Sequence, residues 1–192
     1  MGIDVTDTAA SAAVVRARAA IDRHARMVAD FPSPGISFKD LTPVLADADG
    51  LAAVVTALAE SCAGADLIAG VDARGFLLGG AIARELGVGV VAVRKGGKLP
   101  PPVIGLDYDL EYGSARLEVP AAGLDLAGRS IAVVDDVLAT GGTLVAAARL
   151  LQQAQAHVHG LAVIMELAEL DGRGTLSAQL GTRVPVSGLC LG

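Results

Sequence analysis

Asp135 and Asp136 close an apolar run that begins at residue 130 and reads as a buried strand. In open α/β sheets ligands gather outside the carboxyl ends of the strands, which is where this pair falls. Ala139, Thr140, Gly141, Gly142 and Thr143 follow and lead into a predicted helix over residues 142–155. Two glycines let backbone N–H groups turn inward, two threonine hydroxyls add donors, and a helix N-terminus favours an anion. A phosphate monoester fits such a cradle. The carboxylates cannot serve that phosphate, because like charges repel; they must face hydroxyls, a metal or a developing cation. An acidic pair after a strand often merely caps the next turn, and the Thr-Gly-Gly-Thr continuation is what lifts this pair above that reading.

Two rival chemistries fail on the sequence. A nucleotide hydrolase would need Gly-x-x-x-x-Gly-Lys followed by Ser or Thr, and no such run is present. A phospho-receiver domain carries its acidic pair after the first strand, and too little chain follows Asp136 for the rest of that fold.

The elements that must position these groups repeat a single rhythm. Residues 67–71 form a short apolar strand ending in Asp72-Ala73-Arg74-Gly75, followed by a helix-like stretch to Leu86 and a second strand over 88–93. Strand, turn, helix and strand make the unit of a parallel sheet. Residues 130–134, the 142–155 helix and a strand over 158–165 repeat it. Residues 94–119 interrupt the rhythm with a Gly- and Pro-rich stretch and then an alternating pattern around 108–119, an antiparallel hairpin turning near Gly113. A long loop and hairpin inside an α/β domain is usually functional. Upstream, residues 9–28 favour a helix that stops before Phe31-Pro32-Ser33-Pro34-Gly35, an extended, turning loop. Asp47 or Asp49 caps a further helix bearing Leu51, Val54, Val55 and Leu58. A short final strand ends the chain near Leu191, and one domain spans residues 1–192.

Bulk properties narrow the classes. At 192 residues with 53% hydrophobic and 19% charged residues, the chain has enough apolar material for a full core. Trp is absent and aromatics are 3%, so any stacking surface for a flat ligand must come from Phe31, Phe38, Phe76, Tyr108 or Tyr112. A net charge of −6 argues against nucleic-acid binding, although Arg94, Lys95 and Lys98 concentrate three positive charges that suit a small polyphosphate. Cys62 and Cys190 have no metal-type spacing and suit a reducing compartment. No signal-peptide pattern opens the chain and no apolar run is long enough to span a bilayer, so a cytoplasmic location without membrane contact is expected. His157 and His159, two apart in a strand, read as ordinary surface or edge residues.

Over its full length, the run from Val133 to Thr143 resembles the phosphoribosyl pyrophosphate motif of type I phosphoribosyltransferases. The resemblance implies that Ala139, Thr140, Gly141, Gly142 and Thr143 hold the 5′-phosphate while Asp135 and Asp136 touch the ribose hydroxyls. Displacing pyrophosphate builds positive charge on the sugar ring, which nearby carboxylates stabilise. Four further blocks narrow the family. The run from Asp30 to Leu45, Gly70-Val71-Asp72-Ala73-Arg74-Gly75-Phe76, the run from Val93 to Pro100, and Tyr108-Asp109-Leu110-Glu111-Tyr112-Gly113 are similar, in order, to blocks of the adenine phosphoribosyltransferases.

From that family follow a fold and a set of roles. The expected fold is the type I α/β one, a central, mostly parallel sheet flanked by helices. A small N-terminal hood with the base-binding segment spans about 9–45, the core about 50–170 and a flexible catalytic arm about 94–119. Asp72, Ala73 and Arg74 form the pyrophosphate loop, often with a strained peptide before the Arg position; Ala73 stands where relatives often have Ser. Arg94, Lys95 and Lys98 contact pyrophosphate, with Arg94 serving its own or a neighbouring subunit's site, and a homodimer is implied. Glu111 is the acid/base that exchanges a proton with the imidazole nitrogen of the base. Adenine is read by backbone groups around Ile36, Ser37 and Lys39, between Phe38 and Val137. Magnesium travels with the pyrophosphate. The implied reaction joins adenine and phosphoribosyl pyrophosphate to give AMP and pyrophosphate. Another purine, such as xanthine, or a non-catalytic sensor of phosphoribosyl pyrophosphate are the rival readings.

Overall fold

The computed structural model describes residues 10–30, 33–35, 37–110 and 113–192, and divides into two compact units, Met1–Ala57 and Leu58–Gly192. In the first unit α1 (Ala12–His24) begins where the Ser11 hydroxyl accepts the Val14 N–H, and it buries Ala13, Ala17 and Ile21. The sequence predicts this helix to residue 28, but it stops at His24, and Arg26–Ala29 forms strand β1 instead. The reason is tertiary: β1 pairs antiparallel with β2 (Ser37–Asp40), and Arg26 reaches Asp40 at 3.1 Å. Pairing with a distant strand overrides local helix preference. Asp30, with φ of 56°, starts the connecting turn and its carboxylate accepts the Gly35 N–H. Asp40 also accepts the Thr42 amide at the start of α2 (Thr42–Ala46). Asp47, not Asp49, caps α3 (Ala48–Ser61), taking the Gly50 N–H at 2.7 Å.

The second unit is built on seven strands: β3 (Leu67–Val71), β4 (Gly89–Lys95), β5 (Val103–Leu110), β6 (Gly113–Pro120), β7 (Ser130–Leu138), β8 (His157–Glu166) and β9 (Val186–Leu191). Their order is β5-β6-β4-β3-β7-β8-β9. The five from β4 to β9 run parallel, and the β5–β6 hairpin joins antiparallel at the β4 edge. This is the mostly parallel α/β sheet expected. Strands β3 and β7 are nearly all buried, as central parallel strands must be when helices cover both faces. Helices α4 (Arg74–Leu86), α5 (Gly142–Gln153) and α6 (Gly172–Leu180) connect them. Ala146, Ala147 and Ala148 let α5 lie close on the core around Ile131, Val133, Leu150 and Val163. The hairpin begins at Val103, earlier than the alternation around 108–119 suggests, and Leu110 pairs with Gly113 at its turn. Helix α6 starts on Gly172-Arg173-Gly174, with two poor helix formers in its first turn, and Asp171 caps it by accepting the Gly174 N–H. Neither cysteine is in a disulfide, and burial pushes the Cys62 thiol up to about 11, which keeps it unreactive. Among the described residues no helix is long and apolar enough to cross a membrane.

Candidate active site

From β3 the chain moves to β4 on one side and later returns to β7 on the other. Such a reversal opens a crevice at the carboxyl ends of the two strands. Two helices start there, α4 after β3 and α5 after β7, and no side chain caps either N-terminus. Each leaves first-turn N–H groups free for an anion. Gly141 precedes α5 with φ of 88°, a left-handed conformation that presents the amides of the following turn. Two uncapped helix N-termini therefore lie side by side.

The acidic pair sits within β7 rather than beyond it, because the strand runs to Leu138 instead of ending at residue 134. Continued pairing with β8, Asp135 opposite Val163 and Val137 opposite Met165, holds both carboxylates in a rigid element. Gly75 brings the start of α4 against them, since a Cβ there would lie 2.5 Å from the Val134 carbonyl oxygen. Arg74 then lies with Nε 2.6 Å from Asp136 Oδ2. That buried oxygen nevertheless accepts no hydrogen bond, because the Arg74 N–H is not aimed at it. The contact is ionic and leaves an acceptor for a ligand hydroxyl.

Asp135 accepts the Asp136 amide N–H at 2.9 Å. Burial, and next the charge of Asp136, raise its carboxyl from 3.8 to about 8. A carboxyl raised on folding contributes stability that is complete below its unfolded value, near 3.8, and lost as pH rises through about 8. The stability of the ligand-free protein relative to Asp135→Asn is thus expected to fall between about pH 4 and about pH 8 in denaturant titrations. A pH-independent difference would contradict this assignment.

The pyrophosphate candidates gather beside the pair. The peptide between Asp72 and Ala73 is cis, at the position where the resemblance implied an unusual one. Asp72 Oδ2 accepts the Lys95 N–H at 3.4 Å and lies 3.7 Å from Arg94 Nε. Arg94 donates to the Lys98 carbonyl oxygen at 3.0 Å and stacks its guanidinium 5.8 Å from the Phe76 ring centre. Phe76, one of the few rings open to a flat ligand in the sequence, is thus engaged by a cation. Tyr108, another, places its hydroxyl 3.4 Å from the Thr143 hydroxyl beside the phosphate cradle.

Of the base-binding candidates, Ser37, Phe38 and Lys39 lie on β2 in the first unit and Val137 on β7 in the second. Ile36 and Glu111, and with them Phe31 and Tyr112, lie outside the described residues. Sequence reasoning missed the support beneath the cradle. Glu166, buried at the end of β8, accepts both Nε and Nη2 of Arg173 at 2.6 Å, and Gly172 packs directly against the Ala139 carbonyl. Their only local signal is a Glu closing an apolar strand and an Arg between two glycines.

Residues 44–176 match the phosphoribosyl transferase domain family. An adenine phosphoribosyltransferase of Mycolicibacterium vanbaalenii is 69% identical over 151 residues, covering 79% of this chain and 87% of that one. The chain belongs to the adenine phosphoribosyltransferase family. Among solved members, the adenine phosphoribosyltransferase of Thermoanaerobacter pseudethanolicus superposes with a TM-score of 0.81 at 41% identity, covering 90% of this chain and 98% of that one. The adenine phosphoribosyltransferase of Saccharomyces cerevisiae, complexed with an imino-altritol bisphosphate and adenine, gives 0.80 at 34% identity over 91% and 98% of the two chains. The type I fold expected from the five sequence blocks is therefore this chain's fold.

Proposed function

We propose that this chain transfers the 5-phosphoribosyl group from phosphoribosyl pyrophosphate to adenine, releasing AMP and pyrophosphate, through the crevice between β3 and β7. The observation that carries the reading is the pairing of two uncapped helix N-termini with an acidic pair between them, Asp136 buried and Asp135 half-buried. The α5 terminus, with Ala139 to Thr143, takes the 5′-phosphate; the α4 terminus and Arg74 take pyrophosphate. Asp136, with its free buried acceptor, takes a ribose hydroxyl and faces the positive charge that grows on the ring as the C1′–oxygen bond to pyrophosphate breaks. Substrate binding draws Arg74 from Asp136 toward the leaving group, so the cation and the carboxylate separate to serve opposite charges. Glu111 accepts the proton from N9 as that nitrogen bonds C1′.

Magnesium fits this site as a passenger of the substrate. No group of three His, Cys, Asp or Glu among the described residues could hold an ion alone, whereas one carboxylate with free phosphate oxygens suits the ion's usual mode. Bound, it neutralises the departing pyrophosphate. A cytoplasmic homodimer completes the proposal, as the family resemblance implies.

Initial rates with adenine, hypoxanthine, xanthine and guanine test the base. Adenine is expected to exceed each oxopurine by at least about 10²-fold in kcat/KM, since groups built to accept from an exocyclic amine are left unpaired by a carbonyl. Comparable rates with any oxopurine would overturn the reading.

A further inference from the structure

Glu118 is a charged residue at 6% exposure on β6, which lies between β5 and β4. Its two oxygens are taken by different segments. Oε2 accepts the Gly97 N–H at 2.9 Å, and Oε1 accepts Arg116 Nε at 3.0 Å. Arg116, two residues before it and so on the same face, continues outward, its Nη1 meeting both Asp107 oxygens at 3.1 and 3.0 Å. The Arg116 side chain needs room that only glycine leaves. A Cβ on Gly105 would sit 2.1 Å from its Nη2, and one on Gly96 would sit 3.1 Å from its stem. The Gly96 N–H in turn donates to the Arg116 carbonyl oxygen at 2.9 Å. One strap thus crosses from the basic turn after β4, over β6, to Asp107 on β5.

We propose that Glu118 and Arg116 are positioning residues that lock the turn that follows Lys95 and carries Lys98 to the β5–β6 hairpin, so that pyrophosphate capture and placement of the hairpin arm occur as one movement. This rests on the assignment of Lys98 to pyrophosphate. Register supports it, since Arg94 on β4 and Gly105 on β5 are the two partners of Glu118 across the sheet, and the strap therefore lies where the hairpin joins β4. A carboxylate is required at 118 because both its neighbours are donors. An amide would turn its NH2 group toward one of them.

Glu118→Gln and Arg116→Met test the strap, with Lys98→Ala as the reference. Arg116 is 42% exposed and Met keeps its stem, so that variant should fold and melt like the wild type. Each strap variant is expected to raise KM for phosphoribosyl pyrophosphate about tenfold, leave KM for adenine unchanged and, combined, to do no more than either alone. Arg116→Lys, lacking the planar fork, should not restore the wild-type value. If Lys98→Ala raises that KM while Arg116→Met does not, the strap is wrong and the pyrophosphate assignment stands. If Lys98→Ala changes nothing, the pyrophosphate assignment fails and the strap's stated role fails with it. Equal rises in both KM values would also overturn the proposal, because they would mark a general loosening of the fold. Should Glu118→Gln fail to fold, the Arg116→Met result decides.

Discussion

Asp136→Asn is expected to lower kcat by about 10²–10³-fold while leaving the stability of the ligand-free protein within about 1 kcal/mol of the wild type. The two halves of that expectation have separate causes. Asn keeps the shape of the side chain and one acceptor oxygen, but removes the negative charge that faces the sugar ring when it is most cationic. Stability is spared because the change also removes a like charge from Asp135, whose carboxyl the Asp136 charge helps to raise. Arg74, 41% exposed, can turn its freed guanidinium to water, so no charge is left buried without a partner. Steady-state kinetics and thermal melts on one preparation read both quantities. Unchanged kcat would remove the carboxylate from the mechanism, and a large loss of Tm would make it structural.

Gly172→Ala should weaken kcat/KM for phosphoribosyl pyrophosphate by about 10²-fold although Gly172 itself is assigned no ligand contact. A Cβ at 172 would lie 2.2 Å from the Ala139 carbonyl oxygen and 2.6 Å from Leu138 Cδ1, distances that no rotamer change can relieve at the backbone oxygen. Either the phosphate cradle or the start of α6 must move. The start of α6 is pinned by the paired contact of Arg173 with Glu166, so the cradle is the softer side. Overpacking of this kind also costs stability, about 1–3 kcal/mol. Gly80→Ala in α4 is the control: nothing lies within 4 Å of its Cβ position, and both kinetics and stability should hold. Wild-type kcat/KM in Gly172→Ala would show that the cradle does not depend on α6.

These two residues also mark how far the sequence could be read. The chemistry of Asp136 was legible because an apolar run, an acidic pair and a Thr-Gly-Gly-Thr turn are contiguous, and local order translates into a strand end and a helix start. The strands over 67–71 and 158–165 and the hairpin near Gly113 were legible for the same reason, each being a short period of apolar residues between breakers. Gly172 was not, since its importance lies in an approach to Ala139 across a helix and a strand. Glu118 carries no such local signal. In the alternation Arg116-Leu117-Glu118-Val119 it shares a face with the exposed Arg116, yet it is buried with its oxygens held by the Arg116 side chain and the Gly97 turn. The helix predicted to residue 28 failed through strand pairing with residues 37–40, a contact that no local pattern announces.

The position of β3 bears on how the protein acquires its activity as it folds. Leu67 pairs with Gly89 on one side and with Ile131 on the other. The first partner is a near neighbour along the chain, joined through a single helix. The second requires closing a much longer loop, whose entropy must be met before any contact rewards it. The β5–β6 hairpin can form early from adjacent residues, but the crevice has no walls until β7 has docked on β3. A partly folded chain therefore offers phosphoribosyl pyrophosphate no place to bind, and the ligand stabilises only the completed sheet, in proportion to its concentration. Amide hydrogen exchange with and without the substrate should show that protection in β7 and α5 rises together, as one cooperative unit.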